Sequence, residues 1–272
     1  GADLLSSVAS AAAGSELLLA NGTYSLASTI EIGKNLTIRA QHEGMVLLDG
    51  RDERRVVSIT GGVVQLAGLN ITGGRITGRG AGGSGAYIAG SSTEVTLSNC
   101  HVYGNTCPYD YDSRHDHPTG RGGGLLVVGG AMVTIQESSI HHNTADTSGG
   151  GLHAEQGNVV MVDTLFHDNS APDGANIRVE GCGPACVCSW PATVSDVSGT
   201  IYQCAAPVPS PPSQTWYLQT WCWCRLGADL LSSVASAAAG SELLLANGTY
   251  SLASTIEIGK NLTIRAQHEG MV

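Results

Sequence analysis

The chain has 272 residues, 42% hydrophobic and only 13% charged, and its 37 Gly are about twice the usual share. That length leaves room for one or two domains, the absence of a Gly-X-Y period excludes collagen, and no apolar run approaches the roughly 20 residues of a membrane-spanning helix. The net charge of −10, from 23 acidic against 13 basic residues, offers no cationic surface to track phosphates, so neither nucleic acid nor membrane insertion is expected.

No signal-peptide pattern opens the sequence, and the chain is expected to be a piece of a longer polypeptide. The first element is a helix over Asp3 to Ala13, with Asp3 as N-cap and Gly14 as its stop. It is expected to cover an open sheet edge. Two strands follow, Leu17 to Ala20 and Ile30 to Ile32, with Asn21-Gly22 as the turn between them. Asn35-Leu36-Thr37-Ile38 begins the next unit.

A degenerate repeat then sets in. Val64-Gln65-Leu66, Val95-Thr96-Leu97, Val133-Thr134-Ile135 and Val159-Val160-Met161 each open a copy, at spacings of 31, 38 and 26 residues. Three copies end on an Asn: Asn105, Asn143 and Asn169. Gly122-Gly123-Gly124-Leu125 and Gly149-Gly150-Gly151-Leu152 precede later copies. Within a unit, two short alternating runs flank a bend. Val133, Ile135, Ser138 and Ile140 face inward, while Thr134, Gln136 and His141 face out. One unit cannot bury its apolar side alone, but a stack of them makes a continuous core. The pattern predicts a parallel β-solenoid, with Gly at the tight corners. The three Asn are read as structural, stacking at one corner and bonding the turn backbone.

The 38-residue step holds an insertion, roughly residues 106–122. Asp110, Asp112 and Asp116 offer oxygen ligands for a divalent cation such as calcium. Arg114, His115, Asp116 and His117 offer acid/base chemistry, and a merely solvated loop is the competing reading. The outward column Thr72, Tyr103, His141 and His167 suggests a shallow strip for sugar. No Walker loop, dinucleotide fingerprint, nucleophile elbow or His-Glu-x-x-His pattern is present, so no organic cofactor is expected. Cys100 falls in an inward column with Leu69, Ser138 and Thr164, which predicts a buried free thiol.

Composition shifts near Gly181. All four Trp, six of nine Pro and six of eight Cys (182, 186, 188, 204, 222 and 224) lie beyond it. The cysteines lack paired Cys-x2-Cys spacing, which favours disulfides over zinc. Residues 182–226 are read as a cross-linked linker or cap. Residues 227–272 repeat residues 1–46 letter for letter, which makes them the truncated start of a second copy.

Asn21-Gly22-Thr23-Tyr24 and Asn35-Leu36-Thr37-Ile38 resemble the start of right-handed parallel β-helix proteins of the pectin lyase-like superfamily. The Gly-Gly-Gly-Leu segments, with Ile140-His141-His142-Asn143 and Phe166-His167-Asp168-Asn169, resemble polymorphic outer membrane protein repeats. The resemblance implies an all-β right-handed parallel β-helix over residues 1–181 with a short capping helix. It leaves activity open, because the superfamily mixes lyases, hydrolases, epimerases, adhesins and non-catalytic surface proteins. Its lyases use carboxylate-bound calcium with a basic residue that abstracts a sugar proton, a signature no residues here match. The expected function is a secreted or cell-surface module with a structural or adhesive, glycan-contacting role, its partners being polysaccharide and neighbouring copies of itself. The alternative is a carbohydrate-active enzyme with its site in the 106–122 loop.

Overall fold

Short strands that recur along the sequence stack into three faces, each a parallel sheet. The computed structural model describes residues 2–78, 82–109 and 119–180, with the backbone of five further strands: Val187–Trp190, Val197–Ser198, Ile201–Gln203, Ser241–Leu245 and Leu262–Ala266. The chain forms two compact units, Gly1–Cys224 and Arg225–Val272.

In the first unit, each turn of the solenoid lays one strand on each face, parallel to the strand one turn earlier. On the first face Val64, Val95, Val133 and Val159 are register partners, all at most 2% exposed. On the second face Leu48, Ile71, Val102, Ile140 and Phe166 form the matching column. Each buried Val, Leu or Ile contributes about 1.5–3 kcal/mol, and the stack gives it partners that a lone coil lacks.

The third face departs from the two runs read in each unit. Ala86–Ala89, Leu125–Val128, Leu152–Glu155 and Ile177–Glu180 follow the Gly clusters directly and pair in order. Leu126 and His153, paired on the side of this sheet away from the core, are only 3% and 0% exposed, so on these two coils both sides of the strand are covered. The segments before them lie alongside, bridged at Gly82, Arg121, Ser148 and Asp173. Their corner needs a left-handed residue on every coil, supplied by Gly83, Gly122, Gly149 and Gly174 with φ from +60° to +63°.

The helix runs Ala2–Ser10, shorter than read, and Asp3 lies within it rather than at its N-cap. Leu4 and Val8 join the core. At its C-terminal end Lys34 Nζ donates to the carbonyls of Ala9 and Ala11, at 2.9 and 2.6 Å, satisfying groups the helix leaves unpaired. Gly14 turns with φ +83°. The Asn21-Gly22 turn is followed at once by a strand the pattern hid, Gly22–Ser25, which pairs with Val46–Arg54.

Beyond Gly181, Val187–Trp190 pairs with Asn158–Val162, Val197–Ser198 with Ile177–Glu180, and Ile201–Gln203 with Val187–Trp190. Of the six clustered cysteines, only Cys188 falls in a described strand, by its backbone. In the second unit Ser241–Leu245 pairs with Leu262–Ala266, Ser241 opposite Leu262. That is the register of Ser15 opposite Leu36 in the identical first copy.

Candidate functional site

The second face carries the ring column. Register pairs Tyr103 with His141 and His141 with His167. The Tyr103 and His141 rings lie 5.2 Å apart with planes 3° from parallel. His141 and His167 lie 4.8 Å apart at 5°. The spacing is that of neighbouring strands, so the sheet itself stacks the rings. His101 and His142 meet His141 edge-on, at 6.4 and 5.1 Å. Burial pushes the His141 imidazole below its usual pKa, and the neighbouring His167, His142 and His101 push it further.

The next residue of each coil turns the corner. His142 and Asp168 hold left-handed backbone there, φ +54° and +53°, where the coil before has Gly104 at +63°. The corner thus projects an imidazole above a carboxylate. His142 Nε2 lies 3.8 Å from Asp168 Oδ2, and His167 Nδ1 lies 2.8 Å from the same oxygen. The His142 and His141 Nδ1 atoms lie 2.9 Å apart. The hydrogen bond from His167 holds the Asp168 carboxyl below its ordinary pKa.

Beneath the corner, Asn105, Asn143 and Asn169 form a ladder. Asn105 Nδ2 donates to Asn143 Oδ1 at 2.9 Å, and Asn143 Nδ2 to Asn169 Oδ1 at 3.0 Å. Asn169 Nδ2 donates onward to Asn176 Oδ1 at 2.8 Å. In the coil without an Asn, the Gly74 N–H donates to Asn105 Oδ1 at 2.8 Å.

Asp110, Asp112, Arg114, His115, Asp116 and His117 lie outside the described residues. The roots of their loop are tied down: Thr106 and Cys107 pair with Thr144 and Ala145, and Thr147 Oγ1 donates to the Thr119 carbonyl at 2.6 Å. Past the loop, Arg121 Nη1 sits 2.9 Å from Glu155 Oε2 and 3.8 Å from Glu180 Oε2. The wholly buried His153 faces the same group, its Nδ1 3.0 Å from Ser148 Oγ and its Nε2 3.9 Å from Glu180.

Two clusters therefore exist that the sequence reading did not single out. For His142 and Asp168 a signal was present: His141-His142-Asn143 aligned over His167-Asp168-Asn169 puts both on one corner. For His153 there was none, because its burial comes from a neighbouring segment the strand pattern does not reveal.

A family model described as the right-handed β-helix region matches residues 21–189, more than half of the chain. No curated protein matches the chain. Among solved structures, the alginate lyase from Paenibacillus sp. str. FPU-7 is similar at 15% identity, over 73% of this chain and 97% of that one, with a TM-score of 0.32.

Proposed function

The chain belongs to the right-handed β-helix family, and from that premise we propose that it is a surface module whose second face holds glycan through Tyr103, His141 and His167. One observation carries the reading: three rings stand in register on successive coils with nearly parallel planes. Their faces are turned on one another, so the column offers ring edges outward. Imidazole nitrogens and a phenol hydroxyl suit the hydroxyls of a sugar chain, each of which both donates and accepts. Contact is therefore by hydrogen bonds along the column, rather than by a sugar ring stacked on an aromatic face. An imidazole kept neutral by its surroundings, as His141 is, retains one donor and one acceptor for this purpose. The role fits a secreted or cell-surface adhesive protein that carries copies of the module.

Affinity electrophoresis through gels cast with neutral or acidic polysaccharides tests it. Tyr103→Ala and His141→Ala should migrate faster than wild type in a retaining gel, with unchanged circular dichroism. Equal retention by both variants would remove the strip as the binding face.

A second reading, a lyase, hydrolase or epimerase acting on carbohydrate, draws on one observation. Glu155 and Glu180 are register partners with Arg121 beside both, at the root of the 106–122 loop. Both carboxylates are already committed to guanidinium groups, Glu180 also to Arg178 at 3.0 Å, so binding remains the preferred reading. Incubation with polyuronates, followed by assays for new reducing ends and for altered uronate configuration by NMR, decides between the two.

A further inference from the structure

The corner above the Asn ladder brings together His142, His167 and Asp168, each with one ligand atom, all within 4.8 Å of one another. We propose that these three side chains form a binding site for a divalent transition ion, of the zinc, nickel or cobalt type.

The donor set selects the ion class. Two imidazoles and one carboxylate suit borderline metals, whereas calcium and magnesium require mostly oxygen ligands. The two distances to Asp168 are those of a nearly closed site. Asp168 Oδ2 lies 2.8 Å from His167 Nδ1 and 3.8 Å from His142 Nε2. Ligand atoms about 2.0–2.2 Å from a shared zinc stand at comparable separations from one another. Rotamer adjustments of exposed side chains bring all three to one ion; His142 and Asp168 are 61% and 64% exposed.

The protons also fit. The Nδ1 atoms of His141 and His142 lie 2.9 Å apart, within hydrogen-bond distance. In the tautomer whose Nδ1–H points to His141, His142 Nε2 carries a lone pair on the side of the Asp168 carboxylate. Two acceptors then face one another, an arrangement a cation resolves. A ligating imidazole held through its other N–H is the usual outer support of such sites. On His167 the metal takes Nδ1, and the hydrogen now shared there with Asp168 moves to Nε2, so the ring stays a neutral imidazole. Three protein ligands leave at least one position open to water or to a group from another molecule.

The site shares His167 with the glycan strip but does not depend on glycan binding, so the test uses metal alone. Calorimetric titration of the whole, metal-stripped chain with Zn2+ is compared for wild type, His142→Asn and Asp168→Asn. Asn is tolerated in left-handed backbone, so both variants should keep the wild-type circular dichroism and melting temperature in chelator. The six clustered cysteines are common to all three proteins and cancel in the comparison. Each variant should lose one equivalent of Zn2+, or bind it at least about tenfold more weakly. Identical isotherms would overturn the proposal. Should either variant misfold, His167→Gln, on ordinary strand backbone, serves the same comparison with the same two outcomes.

Discussion

Asn105 and Asn143 occupy the same place on adjacent coils, and the side-chain amide of the first donates to the side-chain oxygen of the second at 2.9 Å. The same oxygen accepts the Asn105 backbone N–H at 3.1 Å, and Asn143 Nδ2 also donates to the Val102 carbonyl at 2.9 Å. Both side chains are wholly buried. The carboxamide is the one common side chain that is donor and acceptor in a fixed planar pair, so it can both repeat up a stack and close the corner backbone. In such a chain each bond polarises the next.

Truncating the middle rung should therefore cost more than truncating the end. Asn143→Ala removes the side-chain acceptor of the Asn105 N–H and the side-chain donor to the Val102 carbonyl, and leaves Asn169 Oδ1 with only the backbone N–H of residue 143. The expected loss is about 3 kcal/mol or more, against roughly 1–2 kcal/mol for the less buried Asn169→Ala. Urea unfolding followed by circular dichroism measures both. Equal losses would show that the ladder does not act as a connected unit.

The corner glycines give a second, graded test. At Gly149, with φ +63°, an added Cβ meets the Leu152 carbonyl oxygen at 2.5 Å and His153 Cβ at 2.8 Å. At Gly14, with φ +83°, it meets nothing within 4 Å. Gly14→Ala should cost only the left-handed penalty, about 1–2 kcal/mol, whereas Gly149→Ala adds a clash with backbone that cannot yield. Melting temperatures should fall in that order. A Gly14→Ala protein less stable than Gly149→Ala would contradict the corner geometry.

How much of this was legible beforehand follows from what each residue faces. Val64, Val95, Val133 and Val159 declared their register because each sits on a strand with one buried and one wet side, which writes a period of two into the sequence. Leu125–Val128 did not, because Leu126 is covered as fully as its neighbours and nothing forces a polar residue there; Leu152–Glu155 does alternate, but its polar His153 lies under cover rather than in water. Gly22–Ser25 was hidden for the opposite reason: no residue in it is fully buried. Tyr103, His141 and His167 were placed in one column by the repeat. That their faces would close on one another, leaving edges outward, depends on side-chain orientation that spacing does not carry. His142 and Asp168 belong to a bend, where the alternation breaks and the inward or outward sense of a residue cannot be counted.

Cys100 and Cys107 provide a third expectation. Both are free and fully buried. Burial pushes the Cys100 thiol up to about 11 and raises Cys107 as well. Only the thiolate reacts, so both should resist iodoacetamide near neutral pH in the native protein and label fully in urea. Peptide mapping by mass spectrometry resolves them from the six other cysteines. Rapid native labelling of Cys100 would mean that the column shared by Leu69 and Ser138 opens readily.

The last prediction rests on His153, wholly buried with Nε2 lacking a hydrogen-bond partner. Its folded pKa is driven down to about 4, first by burial and then by the Arg121 charge, with Glu180 opposing. Arg178, Asp173 and the Ser148 hydroxyl also face it. In the unfolded chain an imidazole titrates near about 6.5. Between those two values the unfolded state binds a proton that the folded state refuses, so stability must fall as the pH falls through the window. The full effect is on the order of 3 kcal/mol, present above about pH 6.5 and lost by about pH 4. Other histidines and the carboxylates titrate over the same range, so the informative quantity is a difference of slopes. His153→Gln keeps a polar group beside Ser148 but cannot charge. Its unfolding free energy should decline less than that of wild type between about pH 7 and about pH 4.5, whatever its stability at neutral pH. Parallel declines in the two proteins would mean that the imidazole is not held neutral in the fold, and that Nε2 reaches water or Glu180 closely enough to carry a proton.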